Sequence, residues 1–255
     1  MKRLLAGIAL GLAYLASAAA AEIPVIAAAS DLQFALGEIS SRFTRETAKQ
    51  VKLSMGSSGN FKMQISAGAP FELFMSADES YVDALHKEGR TLDSGTLYAI
   101  GRIVLFAPHG SALKPDPAMR GLADLIAAGQ VGRFAIANPE HAPYGRAARE
   151  ALSRAGLWDK LQGRLVLGEN ISQAAQFAAS GNAQGGIIAY SLVLSPNMSK
   201  WGTFSLLPAQ SHAPLRQRMV LLKGAGPTAR EFYAYLQGAA GREVFKQYGF
   251  VLPGD

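Results

Sequence analysis

The sequence contains no cysteine, and this absence removes several classes of chemistry. Without thiols there is no disulfide framework, no thiolate metal site, no cysteine nucleophile and no lipid anchor on a leader cysteine. Charged residues are also few, at 17% of the 255 residues, whereas 49% are hydrophobic. These proportions are typical of a globular chain with a sizeable core and one or two domains.

The chain also lacks a strong excess of one charge. Its formal net charge is +6, from 25 basic and 19 acidic residues, and the basic residues are spread along the chain. No helix-turn-helix or RNA-binding motif accompanies them, so solvated helix faces explain them better than a nucleic-acid partner does. A weak positive potential would nevertheless help to attract a small anion.

Only one long apolar run occurs, and it lies at the N-terminus. Lys2 and Arg3 precede LLAGIALGLAYLA, and SAAAAE then places small residues where a signal peptidase cuts. We therefore predict a cleaved secretory signal at residues 1–21 and an exported, soluble chain that begins at Glu22. An uncleaved N-terminal anchor is the alternative, although the run is short for a membrane span.

After this leader, short β-rich runs alternate with amphipathic helical patterns. The run IPVIAAAS precedes a pattern in which Leu32, Leu36, Ile39 and Phe43 share one helical face. Further helices are predicted at 58–67, 79–88, 144–155 and 171–180, with two more in the C-terminal segment. Strands that alternate with helices indicate an α/β fold with mostly parallel sheets flanked by helices.

Polar turns follow four of the predicted strands, and in such sheets ligands bind beyond the carboxyl ends of the strands. The turns AASD, GSSGN, HAPYG and GENIS each place free backbone N–H groups at a helix start. The helix dipole makes such an end attractive to anions, and a serine hydroxyl adds a further donor. Taken singly, each turn is better explained as an ordinary N-cap. Only convergence of the turns would make a binding site.

Several motifs together carry a family resemblance that runs nearly from end to end. In chain order these motifs are AAAS, SSGN followed by QISAGAP, FMSAD, NPEHAPYG, GIIAYS and FKQYGF. In this order and at these spacings the chain resembles the periplasmic molybdate-binding proteins of bacterial ABC importers. The resemblance implies a two-lobed periplasmic-binding-protein fold of the type II kind. It places residues 22–101 and 218–255 in the first lobe and residues 102–217 in the second.

The resemblance also implies a set of ligand-binding residues. Hydroxyl donors match Ser30 and Ser58 in the first lobe, and a tyrosine hydroxyl donor matches Tyr190. Backbone N–H donors match Tyr144 and Ile171 at two helix starts of the second lobe. No catalytic residue and no cofactor are expected, and molybdenum would enter only as the oxyanion, bound through these same residues.

Molybdate at neutral pH is a dianion with no proton to donate, so hydroxyls and amides can cradle it without lysine or arginine. The resemblance implies capture of molybdate, and of tungstate, which has nearly the same size and charge, for delivery to a membrane-embedded permease by a periplasmic monomer. Sulfate or phosphate is the alternative ligand. An organic acid would call for an arginine clamp, which none of these turns supplies.

Asp31, directly after Ser30, has two interpretations. The simpler one makes it a helix cap with its side chain turned outward. An inward carboxylate would instead repel a dianion and favour a protonated oxyanion such as hydrogen phosphate.

A secreted serine hydrolase is the alternative from another class. GSSG resembles a nucleophile elbow only superficially, because the five-residue spacing of that motif is missing. His141 could act as a base only if it faced Ser58 or Ser30 across a cleft.

Processing of the leader gives the first test. Expressed in a bacterium with its own leader, the protein should be recovered from the periplasm with its N-terminus within a residue or two of Glu22. N-terminal sequencing of the purified protein measures this. Recovery from the cytoplasm with Lys2 still present would contradict the prediction.

Overall fold

The computed structural model describes residues 23–196 and 198–254. The predicted leader, residues 1–21, and the cleavage point before Glu22 lie outside the described residues. Within the described part, no helix is both long and apolar enough to cross a membrane.

Strands and helices alternate along most of the described chain. The strands are β1 Val25–Ala29, β2 Lys52–Gly56, β3 Leu73–Ser76, β4 Thr96–Gly101, β5 Ile103–Pro108, β6 Phe134–Ala137, β7 Leu165–Gly168, β8 Gly186–Ala189, β9 Gly202–Leu206 and β10 Leu215–Leu221. The α-helices are α1 Gln33–Thr47, α2 Ser58–Ser66, α3 Glu79–Lys87, α4 Arg120–Ala127, α5 Pro143–Arg154, α6 Ile171–Ala179, α7 Tyr190–Val193, α8 Pro227–Gln237 and α9 Ala239–Gln247.

The described strands form two five-stranded sheets, one in each lobe of an α/β fold. The first sheet has the order β2-β1-β3-β10-β4 and the second has the order β7-β6-β8-β5-β9. Three neighbouring strands of each sheet are parallel, but β10 runs antiparallel to β3 and β4, and β5 runs antiparallel to β8 and β9. Each of these two strands opposes both of its neighbours, so the other four strands of each described sheet share one direction. The sheets are therefore mixed and mostly parallel, as predicted.

Two crossings connect the lobes. Arg102 alone separates β4 of the first sheet from β5 of the second. On the return, β10 pairs with β4 from Leu215 onward. The chain thus rejoins the first sheet at Leu215.

The apolar periodicity of the sequence predicted the buried face of α1 correctly. Leu36, Ile39 and Phe43 of α1 are fully buried in the core of the first lobe, as the pattern predicts. The edge strand β9 was not predicted, because two of its five side chains are exposed and its hydrophobic pattern is weak. The turn at Ser30 is a short 3₁₀ segment, Ser30–Leu32, that leads directly into α1.

The start of α5 is held tightly against the end of β6. A Cβ atom on Gly145 would lie 2.8 Å from the carbonyl carbons of Ala137 and Asn138, closer than side-chain carbons pack. Glycine at this position therefore lets the first turn of α5 approach the carboxyl end of the strand.

Gly145→Ala should lower the free energy of unfolding by about 1–3 kcal/mol, because rigid backbone atoms must move to admit the methyl group. Gly37→Ala is the matched control, since Gly37 also lies in a helix but has nothing within 4 Å of its added Cβ. It should stabilise the protein by about 0.5–1 kcal/mol. Urea unfolding of both variants measures this, and equal effects of the two would contradict the packing described for α5.

Candidate anion-binding site

A small pocket lies between the two lobes, and all four polar turns named above reach it. Its cavity volume is about 10 Å³, which is far below the range of pockets for drug-sized ligands. Its lining residues are Ala29, Ser30, Asp31, Gly56, Ser57, Ser58, Ala77, Ala142, Pro143, Tyr144 and Ile171. The pocket therefore has the size of a site for a small ion.

In the GSSGN turn, the two serines have different roles. The Ser57 side chain caps α2 by accepting the Asn60 backbone N–H at 3.3 Å. Ser58 is fully buried, and its Oγ accepts the backbone N–H of Ala77 at 3.0 Å. Because this bond uses only the oxygen's acceptor capacity, the Ser58 hydroxyl proton stays available as a donor.

Ser30 joins the two lobes. Its Oγ donates to Asn170 Oδ1 at 3.1 Å and accepts the backbone N–H of Ser172 at 3.2 Å. Asn170 Oδ1 also caps α6 by accepting the N–H of Gln173. The Ser30 hydroxyl lies at the pocket, but an anion would have to replace Asn170 as its acceptor.

Tyr144 and Ile171 occupy the first turns of α5 and α6, where backbone N–H groups have no acceptor in the preceding turn. Both residues line the pocket and are almost fully buried. The structure thus brings Ser30, Ser58, Tyr144 and Ile171 together around one cavity.

Tyr190 is not among the residues that line this pocket. The strand β8 ends one residue earlier, at Ala189, and the Tyr190 backbone N–H donates to the carbonyl of Arg102 at 2.9 Å. Its ring packs against Phe204, with centroids 5.9 Å apart, and against Gly249. A ligand-binding role for the Tyr190 hydroxyl stays a prediction.

Asp31 is buried, with 1% of its surface exposed, so its interpretation as an outward cap is wrong. Its Oδ2 accepts hydrogen bonds from the Tyr144 hydroxyl at 2.9 Å and from Gln217 Nε2 at 2.6 Å. Gln217 Oε1 in turn accepts the hydroxyl of Tyr98 at 2.7 Å. Burial raises the pKa of Asp31 to about 7, and the hydrogen bonds from Gln217 and Tyr144 offset only part of that rise.

Positive potential in the pocket comes from the backbone. The N-termini of α2, α5 and α6 all border it, and each carries roughly half a positive charge. Among the described residues, no lysine, arginine or histidine side chain lines it. The described part of the chain also holds no group of three or more histidine, aspartate or glutamate side chains placed to bind a metal ion.

Around the pocket, the lobes touch directly. The Gly59 backbone N–H donates to the carbonyl of His141 at 3.0 Å, and a Cβ on Gly59 would lie 2.6 Å from that oxygen. Arg146 pairs with Asp78 and donates to the Tyr81 hydroxyl at 2.8 Å. The lobes are therefore closed over the pocket.

The contacts of His141 do not meet the condition for a hydrolase. Its Nδ1 lies 3.0 Å from Ser57 Oγ, not against Ser58 or Ser30. Glu169, the carboxylate nearest its Nε2 at 3.5 Å, has a side chain that is 68% exposed. Ser57 itself serves as a helix cap, so this group of side chains is explained by structure.

Sequence reasoning missed the residues that support the pocket from behind and at its rim. Gln217 is a fully buried amide inside a hydrophobic strand, and this exception to the apolar pattern was the one available signal. Asn170 was visible only as a helix cap. For the ion pair of Arg146 with Asp78, the sequence offers no signal, because the partners lie 68 residues apart on different lobes.

The chain resembles characterised proteins over almost its whole length. The bacterial extracellular solute-binding protein family matches residues 24–251. The chain is 36% identical over 248 residues to the molybdate-binding protein ModA of Azotobacter vinelandii, covering 96% of each chain. It is 35% identical over 256 residues to ModA of Escherichia coli K12, covering 98% of this chain and 97% of that one.

The solved structure of the Azotobacter vinelandii periplasmic molybdate-binding protein superposes on this chain with a TM-score of 0.81 at 31% identity. The match covers 90% of this chain and 99% of that one. It confirms the two-lobed fold predicted from the motifs. These relatives are solute-binding proteins and not enzymes. The chain therefore belongs to the bacterial extracellular solute-binding proteins.

Proposed function

We propose that this protein captures molybdate between its lobes and delivers it to a membrane-embedded ABC permease. The observation that carries the proposal is the convergence of three helix N-termini and two serine hydroxyls on one pocket without a basic side chain. A set made only of neutral donors suits a fully deprotonated oxyanion. The names of the relatives support molybdate as the ion.

The binding energy can come from hydrogen bonds alone. Each bond to a charged partner contributes about 1.5–3 kcal/mol net of desolvation, so four such bonds would supply about 6–12 kcal/mol towards binding and closure of the lobes. An organic carboxylate would gain most from a bidentate arginine, and none lines the pocket in the described residues. Sulfate and phosphate stay as alternatives, because they offer the same tetrahedral arrangement of acceptors.

The donors are Ser30, Ser58 and the backbone N–H groups of Tyr144 and Ile171, and their hydrogen bonds go to the oxygen atoms of the ion. Tungstate should bind in the same way, since its size and charge are nearly the same.

The first lobe, residues 22–101 and 218–255, and the second lobe, residues 102–217, would close by a hinge motion at the two crossings. An extracytoplasmic location follows from membership of the family. Export through a cleaved leader and a monomeric state belong to the proposal.

Ligand-induced stabilisation tests the choice of ion. At a thousandfold excess over its dissociation constant, molybdate should raise the free energy of unfolding by about 4 kcal/mol through mass action. Sulfate and phosphate at equal concentration should do much less. Thermal unfolding with each anion measures this, and a larger shift with phosphate than with molybdate would contradict the proposal.

Ser58→Ala tests whether this serine binds the ion. Molybdate affinity should fall about tenfold or more, because one hydrogen bond to the charged ligand is lost. The variant should also lose about 1–3 kcal/mol of stability, since the buried N–H of Ala77 loses its acceptor. Calorimetric titration and urea unfolding separate the two effects.

Ser195→Ala is the matched control. Ser195 is fully buried and its Oγ accepts the N–H of Met198, but it does not line the pocket. This variant should lose stability and keep its molybdate affinity. Unchanged affinity in Ser58→Ala would make Ser58 a structural residue only. Tyr190→Phe tests the remaining predicted donor by the same titration.

A further inference from the structure

Asp31 is the one charged side chain among the residues that line the pocket, and its charge has the sign of the proposed ligand. The described residues give it no cationic partner. The groups that face its carboxylate are the Tyr144 hydroxyl from α5 and the Gln217 amide from β10, with the Tyr98 hydroxyl of β4 behind that amide. The Ser191 hydroxyl donates to the Asp31 backbone carbonyl and not to its side chain. An ionised Asp31 would therefore repel a bound dianion without compensation.

The two carboxylate oxygens of Asp31 differ in their hydrogen bonds. Oδ2 accepts two hydrogen bonds, whereas Oδ1 is buried and has no hydrogen-bond partner among the described residues. A buried oxygen without a donor is costly for an ionised carboxylate. Protonation would remove the charge and turn Oδ1 into a hydroxyl donor, while Oδ2 keeps both of its bonds.

We propose that Asp31 carries a proton when the anion is bound, so that capture of a dianion takes up one proton from the solvent. This inference rests on the proposed function, because it concerns the same pocket. The protonated carboxyl adds a neutral hydrogen-bond donor to a lining that is otherwise made of serine hydroxyls and helix N-termini. The ionised carboxylate belongs to the form that binds a dianion weakly.

The direction of the pH dependence follows from this assignment. Burial raises the pKa of Asp31 to about 7 before any ligand arrives, and a dianion nearby raises it further. Below this pKa the protein is already protonated and its affinity is constant. Above it, binding requires proton uptake, so the affinity falls towards tenfold per pH unit. Between pH 6 and pH 8.5 the loss should be about thirtyfold.

Calorimetric titration with molybdate over this pH range, on the full-length mature protein, tests the inference. Molybdate itself keeps its double charge throughout the range. The wild type should lose affinity as described, whereas Asp31→Asn should show no such slope and should bind more tightly than the wild type at pH 8.5. The amide introduced by this substitution would supply a permanent neutral donor where the wild type needs a proton.

The number of protons taken up gives a second readout that needs no variant. Titrations at pH 7 in buffers with different ionisation enthalpies should show uptake of about half a proton per molybdate bound by the wild type. Asp31→Asn should take up none. If Asp31→Asn fails to fold, the number of protons that the wild type takes up per molybdate bound tests the inference by itself.

His141→Gln is the control for a histidine at the rim, since its imidazole contacts Ser57 beside the pocket. The pH slope should persist in this variant, whatever its effect on the affinity. The proposed role of Asp31 would be overturned if the pH dependence of molybdate affinity were lost in His141→Gln and kept in Asp31→Asn.

Two further outcomes would overturn it. Tight molybdate binding by the wild type with no pH slope and no proton uptake would leave the proposed function standing and remove the role of Asp31. Tighter binding of phosphate than of molybdate, lost in Asp31→Asn, would identify an ionised Asp31 that accepts the proton of hydrogen phosphate. Absence of molybdate binding at every pH would instead overturn the proposed function, and this inference with it.

Discussion

The structure depends on one constraint, which is the cost of holding an anion away from water without a cation beside it. Backbone N–H groups at helix ends meet that constraint because they are polar, fixed in place and uncommitted to the helix. No single helix offers enough of them. Three helix starts from two lobes must converge, and the mixed sheets place those starts at the carboxyl ends of parallel strands.

Division of the donors between two lobes makes the lobe interface part of the site. A main-chain bond from Gly59 to His141 and the ion pair of Arg146 with Asp78 hold that interface at the rim. Ser30 and Asn170 connect the lobes inside. Behind the pocket, Asp31, Tyr144 and Gln217 link the first lobe, the second lobe and a crossing strand in one hydrogen-bonded group. Closure of the lobes is therefore what completes the pocket.

Much of the fold and of the candidate site was predictable from local sequence patterns. The periodic apolar face of α1 and the polar turns at Ser58 and Ile171 are local signals, and the motifs around them predicted the family. The orientation of Asp31 was not predictable, because a carboxylate after a serine at a helix start is usually a cap. Its burial depends on Gln217 and Tyr144, residues 186 and 113 positions away in the chain.

The connection through Arg102 has a mechanical consequence. Only Arg102 lies between β4 and β5, so this crossing cannot lengthen, and the proposed hinge motion would turn the lobes about it. In such a swing, displacement grows with distance from the axis. Gln217 and Tyr98 lie on the strands that flank this axis, so in the proposed motion their contacts would change less than the contact between Gly59 and His141 at the rim.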